Sequence, residues 1–425
     1  MNKQLLLLCL LIVTSISNLQ AQVKDKCYTN IIREERIKNN PSLKNEIEKK
    51  ENFLQNYLKT HKLEKRSEII IPVVVHVLYF KPEENISDEQ IQSQITVLNE
   101  DFGLYNKDKL TDKHAFYKYC GNSGIQFKLA NVDTNGNSTK GITRTKVSKE
   151  FWKEAELEDV KFEKYGGVKN WDPKSYLNIW VINIDDSSNI LGFASFPTDL
   201  TSYPDYDGLV IRHQAFGTTG TAGSDPFPET NLGRTATHEI GHWLNLFHIW
   251  GDTLCGDDMV ADTEPADSAN QNCPKFPHNA KNSCGSSENG EMYMNYMDYT
   301  SDACMNMFTI GQTERMKASI STYRKFILNS KGYNVATIIE NDFKNNFKIS
   351  PIPSNGTLQI YCNKKQLFES EITLVDLFGN HIKSFENISE NTTELNCEDI
   401  PDGMYFLQLQ KNNLIYSVKI IINKQ

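Results

Sequence analysis

The stretch that decides the reading of this chain is "HEIGHWLNLFH", His238 to His248. On a helix, residues four apart lie one above the other, so His238 and His242 present two imidazoles to one point. Glu239, beside the first, can reach a water held there. His248 cannot join them if the helix continues, because ten residues carry it about 15 Å along the axis and about 80° off the shared face. The chain must turn back after His242, and the turn needs a residue that tolerates the left-handed region. Glycine is free of strain there and asparagine is the next most tolerant. Asn245 stands where the bend is required. Its cost relative to glycine is about 1 kcal/mol or less, small against the order of 10 kcal/mol that zinc binding contributes.

Three neutral imidazoles leave the fourth position of zinc open to water, as in catalytic rather than structural sites. Such an ion acidifies the water and polarises a carbonyl, while Glu239 takes the proton and passes it to the leaving amine. The residues therefore predict peptide-bond hydrolysis without a covalent intermediate. The alternative from a different class is a secreted surface-binding or adhesin-like protein with a structural zinc site, in which Glu239 would have no task.

At 425 residues and 39% hydrophobic content, the chain predicts two or three folded units. Residues 1–21 carry Lys3, the run "LLLLCLLIV" and Ala21, in the order of a secretory signal peptide. No other run is apolar enough to span a bilayer, so the expectation is an exported, soluble protein. Export gives the cysteines meaning, because disulfides persist outside the cytoplasm. Cys255, Cys273, Cys284 and Cys304 lie close together without a CxxC pair. Two disulfides stapling a loop-rich segment suit them better than a structural zinc. Residues 22–66 hold 12 Lys and Arg against 7 Asp and Glu, in a chain whose net charge is −9. A basic arm ahead of an acidic body predicts intramolecular docking and argues against nucleic acid as partner.

Within that arm Leu43, Ile47, Phe53, Leu54 and Leu58 are spaced helically. It ends at Lys65-Arg66, a candidate processing point, ahead of the apolar run Ile69 to Phe80, which reads as a buried strand. "SDEQIQSQITVLNEDF" opens with Ser87 and Gln90 in capping-box spacing and continues as a helix. Strand-like runs follow at 125–130, 177–184 and 207–212, so mixed α/β is the expected class. Residues 254–307 lose periodicity, a closing helix follows, and short strands between turns fill 340–425 as a small all-β module. Asp257, Asp258 and Asp262 are spaced to suit a hard cation such as calcium.

"HEIGHWLNLFH" followed by "YMDY" resembles the metzincin clan and, within it, the pappalysin (cytophagalysin) family of secreted metalloproteases. "IPVVVHVLY", "YLNIWVINI", "LGFASFP", "GDDMVADTEP" and "CMNMFTIGQTERM" extend the likeness over roughly residues 67–325. The resemblance implies a twisted mixed sheet with an active-site helix in a catalytic domain of residues 67–335, behind a pro-segment of residues 22–66. It implies that Met297 forms an apolar base under the zinc and that the Tyr299 hydroxyl stabilises the oxyanion. Gly192, Phe193 and Ala194 would form the edge strand that pairs with extended substrate. The pairs Cys255–Cys284 and Cys273–Cys304 are likewise implied, as is a calcium site near residues 257–262. Relatives that cleave before arginine use an acid after the Met-turn, which would be Asp302 here.

Cys27 resembles the lone cysteine of family pro-segments, whose thiolate would fill the open zinc position until Lys65-Arg66 is cut. A disulfide with Cys120 is the competing reading. Residues 340–425 resemble the C-terminal sorting domain of type IX secretion substrates, implying a β-sandwich that engages secretion machinery, with possible attachment to the cell surface after outer-membrane export; a generic β-sandwich binding module is the alternative there.

Overall fold

A computed structural model describes residues 25–61, 69–281, 284–334, 346–363, 371–377, 379–385, 391–411 and 414–424. The expected signal peptide and the Lys65-Arg66 junction lie outside these residues. The chain divides into two compact units: residues 1–130 with 141–330, and residues 131–140 with 331–425. The second takes in more than the expected 340–425, because Asn131 and Val132 donate backbone hydrogen bonds to the Gly332 carbonyl at 2.9 and 3.2 Å.

The first unit is built on strand β1 (Ile69–Tyr79), the predicted apolar run. It pairs in parallel with β2 (Ile125–Leu129) along its first half, with β3 (Ile142–Lys146) along its second, and with β4 (Leu177–Ile182) on its other side. β4 pairs in parallel with β6 (Leu209–Arg212), and the short β5 (Gly192–Ala194) closes the edge antiparallel to β6. A mainly parallel sheet is covered on both faces, which is why its strands read as continuous apolar runs. Val73, Val75 and Val77 face one core with Ile91, Ile95 and Leu98 of helix α3 (Asp88–Gly103). Leu78, Trp180, Ile182 and Val210 face another, roofed by Trp152 and Val160. Ser87 caps α3 by accepting from the Gln90 backbone N–H at 3.1 Å.

Helix α4 (Arg234–Trp243) carries the first two histidines and buries Ala236, Ile240 and Trp243 in the first core. Helix α5 (Ile310–Thr322) opens with a reciprocal capping box between Thr309 and Gln312 and adds Met316 and Ile320. Between them the chain is irregular and stapled by Cys255–Cys284 and Cys273–Cys304, with Cα separations of 5.2 and 5.6 Å. The basic arm forms α1 (Thr29–Asn39) and α2 (Ser42–Thr60). Leu43 and Leu54 are buried, but Phe53 is 56% exposed, so the helical spacing overstated the apolar face by that residue.

The second unit holds a four-stranded antiparallel sheet, β10 (His381–Phe385), β9 (Glu371–Val375), β12 (Gly403–Lys411) and β13 (Leu414–Ile422), in that order. A three-stranded sheet runs β11 (Thr392–Asn396), β8 (Thr357–Cys362), β7 (Phe347–Ser350). Leu358 and Ile360 of one share a core with Leu374, Leu407 and Ile420 of the other, the expected sandwich. Among the described residues no helix is long and apolar enough to cross a membrane.

Candidate active site

Helix α4 stops at Trp243 because the next turn is a Schellman motif. Asn245 adopts φ 76°, its N–H donates to the His242 carbonyl at 2.8 Å, and the Leu246 N–H donates to the Gly241 carbonyl at 2.8 Å. Its carbonyl accepts from Arg315 Nε at 2.7 Å and its amide donates to Glu51 of α2 at 3.2 Å. The bend falls on the residue the sequence singled out, and it returns His248 to the other two. The three Nε2 atoms lie 3.1, 3.1 and 3.2 Å apart.

Those distances identify what the imidazoles do. Nδ1 of His238 donates to the Tyr296 carbonyl at 2.7 Å, Nδ1 of His242 to the Leu246 carbonyl at 2.8 Å, and Nδ1 of His248 to the Asp252 carboxylate. Each proton is thereby fixed on Nδ1, so three lone pairs face one another. Burial, then the His248 charge, pushes His238 down to about 3; burial leads the fall of His242 well below the usual histidine range. Rings whose lone pairs converge in this way need a cation. Tetrahedral zinc with nitrogens about 2.0–2.1 Å away spaces its ligands about 3.3 Å apart, so the set fits that ion. Cys27 Sγ joins the three rings, and the four ligand atoms lie within 4.8 Å of one another; among the described residues this is the one group of three or more His, Cys, Asp or Glu side chains placed to hold a metal ion.

The floor of the site follows from a missing side chain. A Cβ on Gly241 would run into Met297 Sδ, so glycine between the histidines makes room for the methionine, which is fully buried. Trp250 stacks on His248 with centroids 4.4 Å apart, and the Tyr299 ring stands edge-on to His248 at 4.9 Å.

The basic arm occupies the cleft. Cys27 bridges to Gly192 of the edge strand, Tyr28 N–H donates to the Gly192 carbonyl at 3.0 Å, and Leu191 N–H donates to the Lys26 carbonyl at 2.8 Å. Ala194 N–H donates to Thr29 Oγ1 at 2.9 Å. Thr29 Oγ1 and Cys27 Sγ in turn donate to Glu239 Oε2 at 3.1 and 3.4 Å. Burial pushes Glu239 up to about 8, and these two donors oppose the rise. The Tyr299 hydroxyl donates to the Cys27 carbonyl at 3.4 Å. Cys27 and Cys120 are both free thiols, so the structure lacks the disulfide that competed with the thiolate reading.

Lys26 enters a pocket lined by Glu229, Asp298, Tyr299 and Asp302 beside His238, and its Nζ donates to the Tyr299 carbonyl at 3.1 Å. Burial lowers its pKa while Glu229, Asp302 and Asp298 oppose that. Asp302 also makes contacts the sequence did not suggest: its Oδ2 accepts from the Leu232 and Arg234 N–H groups at 2.8 and 3.2 Å, at the start of α4. Among the described residues Asp257, Asp258 and Asp262 do not form a group of three ligands placed to hold a metal ion. Asp257 is exposed and closes a turn onto Met259 N–H, whereas Asp258 Oδ2 and Asp262 Oδ1 are buried without a partner. Burial pushes Asp258 up to about 7.

A mixed sheet with this centre beneath its edge strand defines a metzincin-type metallopeptidase. Comparison with known proteins narrows the class. Residues 163–321 match the peptidase family described as "Pregnancy-associated plasma protein-A", and residues 348–423 match "Secretion system C-terminal sorting domain". An "Extracellular metalloprotease" of Arthroderma otae is 31% identical over 261 residues, 60% of this chain and 79% of that protein. Mature mirolysin of Tannerella forsythia, solved with a cleaved peptide, is 48% identical with a TM-score of 0.58, over 62% of this chain and 96% of that one. A mutant of its precursor, promirolysin, is 45% identical with a TM-score of 0.62, over 69% and 94%. The chain belongs to the pappalysin family of metallopeptidases and carries a C-terminal secretion sorting domain.

Lys26, Thr29 and Asp252 touch the candidate site and were not singled out by the sequence. Asp252 carried a usable signal, a carboxylate four residues beyond the third histidine; Lys26 and Thr29 stood out only as neighbours of Cys27.

Proposed function

We propose that this protein is a secreted zinc endopeptidase made as a latent precursor, with His238, His242 and His248 holding the ion. The observation that carries it is the set of three Nε2 atoms 3.1–3.2 Å apart whose Nδ1 atoms are all engaged. Bound zinc would supply Lewis-acid polarisation of the scissile carbonyl and acidify the attacking water. Glu239 accepts the proton of that water and delivers it to the leaving nitrogen. The Tyr299 hydroxyl, directed here at the Cys27 carbonyl, donates to the oxygen that becomes negative. Gly192, Phe193 and Ala194 form the edge that offers backbone groups to extended substrate, as Leu191, Gly192 and Ala194 do to residues 26–29. Met297, seated under Gly241, is the apolar base of the centre.

Residues 22–66 act as the pro-segment. Cys27 closes the metal centre, while Thr29 and Cys27 occupy the Glu239 carboxylate, so the ion position and the base are blocked together. Cleavage at Lys65-Arg66 would release the block. Lys26 in the acid-lined pocket supports substrates with a basic residue after the scissile bond, with Asp302 among the acids. Calcium fits the orphan oxygens of Asp258 and Asp262, and the sorting domain directs export by the secretion machinery.

Activated protein should contain about one zinc per chain, as three-histidine coordination implies. Chelation should stop casein digestion and added zinc should restore it. Digestion that survives complete metal removal would refute the proposal.

A further inference from the structure

Arg36 of α1 is held by a cage made wholly of catalytic-unit residues. Its guanidinium pairs with Asp199 Oδ2 at 3.0 Å and Glu158 Oε1 at 2.6 Å. It lies 4.9 Å from the Tyr203 ring centre and 5.0 Å from that of Tyr206. The rings are set nearly perpendicular, at 83°. Two carboxylates at the edges and aromatic rings beside the plane match the planar, forked guanidinium better than a lysine ammonium.

The cage is built independently of its guest. Asp199 N–H donates to the Phe196 carbonyl, and Ser202 and Tyr203 N–H groups donate to the Asp199 carbonyl, at 2.8–3.0 Å. These backbone bonds involve no residue of α1, and departure of α1 would leave Asp199, 2% exposed with the arm in place, without its guanidinium. The other nearby cations are committed: Lys161 Nζ lies 3.5 Å from Glu158 and donates to the Tyr206 carbonyl, and Arg324 is bound to Asp207. A carboxylate that loses its ion-pair partner favours a replacement cation, and a preformed site spends little on ordering when one arrives.

We propose that, once the pro-segment has left, this cage is a substrate subsite for an arginine side chain remote from the scissile bond. The inference rests on the protease reading above. Arg36 lies seven residues beyond Thr29, about 10 Å along α1, a distance an extended substrate spans in about three residues. The chain leads from Lys26 in the acidic pocket, past Cys27, to Arg36. If that pocket takes the residue after the scissile bond, the cage serves the third to fifth residues before it.

The test uses activated enzyme and peptides with a fixed scissile sequence, carrying arginine, lysine or neutral, isosteric citrulline at each of those three positions. At one position arginine should give a kcat/KM at least tenfold above citrulline, expressed mainly in KM, with lysine between. In Glu158→Gln and Asp199→Asn the ratio should fall toward one; Glu158 is partly exposed, so at least that variant should fold. Equal kcat/KM for arginine and citrulline at all three positions, or a preference untouched by both variants, would overturn the inference. Failure to cleave any peptide would instead overturn the protease reading, and the cage with it.

Discussion

The thiol of Cys27 lies 3.4 Å from the carboxylate of Glu239, residues 212 positions apart in the chain. One segment thus touches the metal centre and the base at once, with Thr29 adding a second donor to the same oxygen. Precursor Cys27→Ala should lose most of its latency, digesting casein before any cut at residues 65–66. Thr29→Val should relieve it less, because the sulfur stays at the centre. An unchanged lag in Cys27→Ala would remove the switch.

The φ of 76° at Asn245 makes the bend sensitive to side-chain branching. Asn245→Gly should retain zinc and activity within about 1 kcal/mol of stability, by the glycine and left-handed-region estimates. Asn245→Val, β-branched where such residues are strained, should lose zinc affinity and activity together. Zinc titration of both variants checks this; wild-type affinity in the valine variant would contradict it.

Met297 and Gly241 form a tighter pair. Gly241→Ala drives a methyl into the methionine sulfur and should cost about 1–3 kcal/mol as an overpacked core does. Met297→Ala clears that space, so the double variant should lose less stability than the two single changes added together. Denaturant midpoints for the four proteins measure the coupling, and strict additivity would show that the pair does not touch in solution.

His76 sets a pH dependence away from the metal. It is buried on β1 between Thr143 and Asn178, and burial holds it down to about 4 against 6.5. Between those values the unfolded chain binds a proton that the folded chain refuses, so stability falls as pH drops from about 6.5 to about 4. The loss amounts to about 3 kcal/mol over that window. His76→Gln, which cannot titrate, should flatten this part of the pH–stability curve; an identical slope in the variant would assign it to other groups.

Arg324 and Asp207 form a buried two-bond ion pair at 2.8 and 3.1 Å, with Trp243 Nε1 donating to the same carboxylate. Arg324→Met leaves that charge uncompensated and should cost about 3–5 kcal/mol. Thermal unfolding checks it.

What was legible in the sequence was what periodicity and local spacing carry. The run from Ile69 becomes β1, Ser87 caps α3, and Asn245 takes the positive φ. β3 was missed because "ITRTK" is polar and only partly buried, so no apolar run announces a strand that exists by pairing with β1. Lys26, Thr29 and the Arg36 cage were illegible for another reason. Their partners lie 122 to 273 residues away, and single polar residues give no periodic signal of what they will meet. Asp302 was singled out as a candidate acid for basic substrates, yet its bonds to the start of α4 depend on a loop that only the folded chain brings there.

Catalysis in this protein turns on Glu239 acting as the base beside a three-histidine metal centre. The most direct measurement is casein hydrolysis by activated wild type and Glu239→Ala at equal, verified zinc content. Both should bind about one zinc, as the three-histidine set requires, and the variant should be slower by about 10²–10⁴-fold. Equal rates at equal zinc would contradict that role.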